Sequence, residues 1–168
     1  MIASSRASDD VGTTKRRILL FANFEEVIVD CHHLADVGYH KLGQWNLGQI
    51  CQHLAAFMDQ SIDGFKDRMP FWLPVVRPVL RMIYLPTILK GGAVSVKAKA
   101  PPSILPSTSA DDEIRLAELE RAIARVMQED VQFVESPVMG SLSQEEWRKV
   151  HMWHCQHHLS FLIPGHKR

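Results

Sequence analysis

Twice in 168 residues this chain marks the start of a helix with a complete local signature. In Trp45-Asn46-Leu47-Gly48-Gln49-Ile50, an N-cap asparagine stands three residues before a glutamine, and Trp45 and Ile50 flank the pair where a hydrophobic staple closes. Leu142-Ser143-Gln144-Glu145-Glu146-Trp147 repeats the pattern, with Ser143 as N-cap, Glu146 completing the box and Leu142 stapled to Trp147. Each reciprocal cap satisfies backbone N–H groups that a helix start otherwise leaves open, so both starts are well specified. Behind Asn46 the apolar residues Leu47, Ile50, Leu54, Phe57, Met58, Ile62 and Phe65 recur at helical spacing, and Gly64 supplies a stop.

Two more helices follow the same logic. One is expected between Asn23 and Asp36, and another from Thr108 or Ser109 to about Gln128, where Asp111, Asp112 and Glu113 suit the positive end of the dipole. In the latter, Ile114, Ala117, Ile123 and Val126 keep helical spacing. The helix opened by Ser143 should end before Pro164-Gly165. An all-α fold built as a helical bundle follows, with a long proline-rich crossover between the second and third of these helices, from Lys66 to Thr108.

That crossover is expected to hold a short helix over Val75 to Leu85, with Pro74 at its first position and Pro78 allowing at most a first turn before a kink. Its Met69 to Leu89 run is apolar enough to resemble a membrane span. Arg77 and Arg81 near the centre would each cost roughly 2.5–3.5 kcal/mol in a bilayer, and Pro70, Pro74, Pro78 and Pro86 punctuate the run, so a transmembrane helix is rejected. Such a segment must be covered instead, as a bundle lid, a pocket wall or a dimer face.

Bulk properties narrow the function classes. With 46% hydrophobic residues the chain supports one domain, expected over 17–168, behind a flexible tail at 1–16 that lacks the apolar region of a signal peptide. Nineteen basic residues balance nineteen acidic ones, which argues against nucleic-acid and anionic-membrane partners. Cys31, Cys51 and Cys155 are odd in number and sit in apolar stretches, as reduced thiols of a cytoplasmic protein do.

Chemistry concentrates in His151-Met152-Trp153-His154-Cys155-Gln156-His157-His158. At about 100° per residue, His151, His154 and His158 fall within roughly 60° of one another, on the stripe of Trp147, Phe161 and Leu162. His157 lies at its margin, and Cys155 turns away. Imidazoles on a buried stripe need partners for a donor and an acceptor each, and a divalent cation answers that need. An i, i+4 pair such as His154 and His158 can converge on one ion, and His53, at the edge of the second helix's apolar face, is the best third ligand. Three imidazoles leave positions open for water or substrate, the catalytic rather than the structural pattern, and suit zinc, nickel, iron or manganese.

Weighed against this, an HxxxH pair alone is a weak signal. His32 and His33 carry no assigned role, and His40 and His166 read as loop and tail histidines. Trp45 and Trp147 read as staple and core residues, and Gln49 and Gln60 as cap or surface ones. There is no HExxH, no Glu plus ExxH di-iron pattern, no P-loop, no GxGxxG and no GxSxG.

Gly43-Gln44-Trp45-Asn46-Leu47-Gly48-Gln49-Ile50-Cys51-Gln52-His53-Leu54, followed late in the chain by Met139-Gly140, Glu145-Glu146-Trp147 and His154-Cys155-Gln156-His157-His158-Leu159, resembles the DinB-like superfamily, in particular a bacterial branch of it. The resemblance covers the chain from about Arg17 onward. It implies an up-down-down-up four-helix bundle, often a homodimer, with a metal at its open end held by His53, His154 and His158. Relatives include transferases that join low-molecular-weight thiols to electrophiles, isomerases that use such thiols, and metal-dependent hydrolases. Where many relatives continue with Gly-Gln, this chain has Leu159-Ser160-Phe161. The expectation is a cytoplasmic metal-dependent enzyme activating a thiol or water towards a small-molecule substrate. The competing expectation is a non-catalytic bundle that binds a ligand or partner through its apolar connector, with structural histidines.

Overall fold

The computed structural model describes residues 15–92, 94 and 101–165. The expected tail thus lies outside the described residues except for Lys15 and Arg16, and His166 lies outside them too. Arg16 does not behave as tail: its guanidinium donates to the Ser160 hydroxyl and the His157 carbonyl, and stacks 3.8 Å from the centroid of Phe161.

The described residues are mostly helical. Helix α1 spans Phe24–Val37, α2 Leu47–Asp63, α3 Leu73–Leu89, α4 Asp112–Val126 and α5 Gln144–Leu159. Both predicted capping boxes form in full, at Asn46 with Gln49 and at Ser143 with Glu146. Asn23 caps α1 by accepting from the Glu26 N–H. Helices α1 and α2 each stop at a glycine of positive φ, Gly38 at 82° and Gly64 at 104°, a conformation that side chains with a Cβ resist.

One core joins four of the five helices. Val27, Cys31 and Leu34 of α1 meet Ile50, Leu54 and Met58 of α2, Leu119, Ile123 and Val126 of α4, and Cys155 and Leu159 of α5. Helix α2 runs most extensively against α4, and α3 packs on α5 from outside this core. A second cluster, centred on Trp147 and Val150 with Leu85 and Ile88, fills that outer seam. The three cysteines are free and buried, as expected.

Four expectations need correction. The crossover helix α3 is far longer than predicted and passes through both Pro78 and Pro86. These prolines remove the bonds to the Pro74 and Met82 carbonyls, and all four residues lie on the exposed side of α3, where water can take those acceptors. Helix α4 starts at Asp112 with Asp111 as its cap rather than at Thr108 or Ser109, because the Asp111 carboxylate accepts from the Ile114 N–H. Its last residue is Val126, not Gln128. Finally, the fold is not wholly α. Strand β1 (Tyr39–Lys41) pairs antiparallel with β2 (Leu162–Pro164), tying the chain after α5 to the α1–α2 link.

Candidate metal centre

Helix α2 carries His53 and helix α5 carries His154 and His158, and their contact brings the three imidazoles together. His154 Nε2 lies 3.2 Å from His53 Nε2 and 3.0 Å from His158 Nε2. One ligand atom from each residue lies within 4.8 Å of the others, with His53 buried and the other two half-buried. All three residues singled out from spacing are therefore in one cluster.

Proton bookkeeping shows why this cluster suits a cation. His53 Nδ1 is 2.7 Å from the Ile104 carbonyl oxygen, which can only accept, so Nδ1 carries the proton and Nε2 presents a lone pair. His154 Nε2 then faces two other Nε2 atoms. If it carries a proton it has no lone pair for His158, and if it does not, two lone pairs oppose each other across the gap to His53. No placement of single protons gives both contacts a linear hydrogen bond. A divalent ion accepts all three lone pairs at once. Imidazole nitrogens about 2.0–2.1 Å from zinc in tetrahedral array sit about 3.3 Å apart, close to the two separations seen.

Electrostatics keeps the donors neutral. Burial, followed by the neighbouring rings His158 and His53, holds His154 well below the usual histidine range. Burial pushes His158 down to about 2, helped by His53 and His157. His53 is lowered by burial against the opposing effect of its bond to Ile104. Unprotonated imidazole is the form that ligates metal.

Trp45 has a second role that its staple position does not announce. Its ring lies 4.9 Å from that of His53 and stacks at 5.5 Å on His158, walling the cluster on one side. A cleft of about 280 Å³ opens beside it, lined by Gly43, Gln44, Trp45, Ile50, His157, His158 and Phe161. His157, marginal by angle, thus faces this cleft, together with the polar side chains of Gln44 and His158.

His151 shares the helical stripe but not the cluster. It is fully buried beside Trp147, with ring centroids 5.3 Å apart, and its Nε2–H donates to Ser61 Oγ at 3.0 Å. The Ser61 hydroxyl proton is spent on the Met58 carbonyl, so Ser61 can only accept from His151. Gln60, read as a surface residue, is buried instead: its amide donates to the Ser103 carbonyl and hydroxyl, anchoring the 3₁₀ turn Pro102–Ile104. His32, given no role, pairs with Glu120 at 2.7 Å on the surface. Neither the Ile104 carbonyl nor the anchoring turn carries a sequence signal, since every residue has a carbonyl.

Residues 13–165 match the family described as "Protein of unknown function (DUF1569)", and the chain belongs to that family. No curated protein and no solved structure matches it.

Proposed function

We propose that this chain is a DinB-like metalloenzyme in which His53, His154 and His158 hold a divalent zinc, nickel, iron or manganese ion and act on a small molecule that enters beside Trp45. The observation that carries the reading is the convergence of three Nε2 atoms whose protons cannot satisfy one another. A bound ion supplies Lewis acidity that lowers the pKa of an incoming thiol or water. Thiol transfer and hydrolysis are the two reaction types that fit, with a low-molecular-weight thiol as the first substrate to try.

The protein's own groups would set the rest. The bond from His53 to Ile104 orients the ring on the buried side, while His158 faces the cleft. Trp45 and Phe161 offer apolar walls, and Gln44 and His157 offer polar contacts to a substrate. In this reading α1, α2, α4 and α5 are the four bundle helices in up-down-down-up order, supported by their shared core, and α3 is an insertion in the crossover. Buried free thiols support a reducing, cytoplasmic setting. Among the described residues no helix is long and apolar enough to cross a membrane.

The test is metal analysis of a tag-free preparation, stripped and reloaded with each cation. One equivalent per chain, lost in His154→Ala while the helical circular dichroism is kept, supports the reading. Absence of stoichiometric binding for every cation rejects it and favours a non-catalytic bundle with structural histidines.

A further inference from the structure

Arg16 lies against the end of α5 and brings a fixed cation to the cleft beside the histidine cluster. Its Nε and Nη2 donate to the Ser160 hydroxyl at 3.0 and 2.6 Å, and Nη2 also donates to the His157 carbonyl at 2.8 Å. The guanidinium stacks 3.8 Å from the centroid of Phe161, a wall of that cleft. These contacts hold one edge of the planar fork and leave both N–H groups of Nη1 without a partner among the described residues. Capping the carbonyl end of α5, as cations at helix C-termini do, therefore accounts for half of this side chain only.

No group lining the cleft offsets the charge. Its polar side chains are Gln44, His157 and His158, and none is acidic. Burial, followed by the charge of Arg16, holds His157 below the usual histidine range, and Arg16 adds to burial, His53 and His157 in lowering His158, so its field reaches both imidazoles. A second cation stands near: Lys41 Nζ is 3.5 Å from the Gln44 carbonyl oxygen. Among the described residues neither Arg16 nor Lys41 enters an ion pair. Three neutral imidazoles add no negative charge of their own to a bound dication.

We propose that the small molecule taken up by this cleft is a thiol that carries a carboxylate, and that Arg16 binds the carboxylate through Nη1. The inference rests on the reading of the cluster as a metal site with a small thiol entering beside Trp45. The guanidinium is already oriented by Ser160 and Phe161, so little side-chain freedom is lost when an anion binds. A phosphate suits the cleft less well. The first N–H groups of α2, from Leu47, Gly48 and Gln49, are spent on Tyr39, Asp112 and Asn46, so no helix start is open to hold a dianion there.

The test follows the Trp45 indole N–H signal by NMR, assigned by its loss in Trp45→Phe, during titration with 3-mercaptopropionate and with its neutral amide. Both titrations are run on zinc-loaded and on metal-free protein. In the wild type the carboxylate should bind about 10-fold more tightly than the amide, the lower end for a hydrogen-bonded charge because Arg16 is exposed. Arg16→Gln should bring the two probes to equal affinity with metal content unchanged, and Arg16→Lys should keep part of the difference. Added salt should narrow the difference in the wild type. Equal affinities in the wild type overturn the proposal, as does the absence of a saturable shift with either probe. So does a preference that survives Arg16→Gln, which assigns the carboxylate to chelation by the ion and leaves Arg16 as a helix cap. Failure to take up zinc rejects the metal reading instead, and the same titrations on metal-free protein then decide the role of Arg16.

Discussion

The Nδ1–H of His53 donates to the carbonyl oxygen of Ile104 at 2.7 Å, and that carbonyl belongs to a turn held in place by Gln60 through Ser103. A ligand's orientation thus depends on a residue two turns further along the same helix. Outer partners of metal-ligating histidines are worth about 10–100-fold in affinity. Gln60→Leu should therefore weaken metal binding by at most about 10-fold, the lower end of that range, because Asp67 still holds Ser103, while the three ligands remain, as measured by competition with a chelator of known affinity. Unchanged affinity would mean that the turn does not orient His53.

Metal removal should be visible as lost stability. A cation that binds only the folded state, present at about 100 times its dissociation constant, adds about 2.7 kcal/mol, which for a chain of this size raises Tm by about 5–10 °C. Thermal unfolding with and without EDTA should show that difference in the wild type. It should disappear in His154→Ala, whose Tm no longer responds to chelator or to added metal.

Much of the site was legible because it depends on local geometry. The capping boxes at Asn46 and Ser143 need only four residues each, and the angle between His154 and His158 needs only a helix. What escaped depends on distant partners. The stacking of Trp45 on His158 joins the N-terminus of α2 to the end of α5, and no local pattern encodes it. The β1–β2 pairing uses three residues a side, too few for an alternation to register. The reach of α3 beyond Leu85 has no local signal either, because Pro78 argues for a kink and Pro86 against continuation, whereas solvent on the exposed side satisfies the carbonyls these prolines free.

Acid should destabilise the fold partly through His151. Burial lowers its pKa from 6.5 to about 3, so the unfolded chain binds a proton in this range that the folded chain does not. Its contribution is intact above pH 6.5, is lost progressively as the pH falls from there to about 3, and levels off below that. The slope is up to about 1.4 kcal/mol per pH unit. His151→Phe keeps an aromatic ring beside Trp147 and removes the titration. Urea unfolding of metal-free protein between pH 7 and about 4 should show a shallower loss in this variant by up to that slope. The other lowered histidines contribute equally to both proteins, so parallel curves would assign the acid sensitivity to them.

Gly48 offers a contest between two effects of known size. It lies in the first turn of α2, and its N–H donates to Asp112 Oδ1 at 2.7 Å. Helix propensity alone favours alanine there by up to about 1 kcal/mol. A Cβ at this position, however, would lie 2.8 Å from the Ala110 carbonyl oxygen and 2.9 Å from that of Asp111, and both are backbone atoms that cannot rotate aside. Overpacking of this kind costs typically about 1–3 kcal/mol, so the steric term wins and Gly48→Ala should lower stability in urea unfolding by about 1–2 kcal/mol. The start of α4 must move away from α2 to admit the methyl group. Because His53 follows on α2 and Ile104 precedes α4, the same displacement should also weaken metal binding. A variant more stable than the wild type would show that the two helix starts are not in rigid contact.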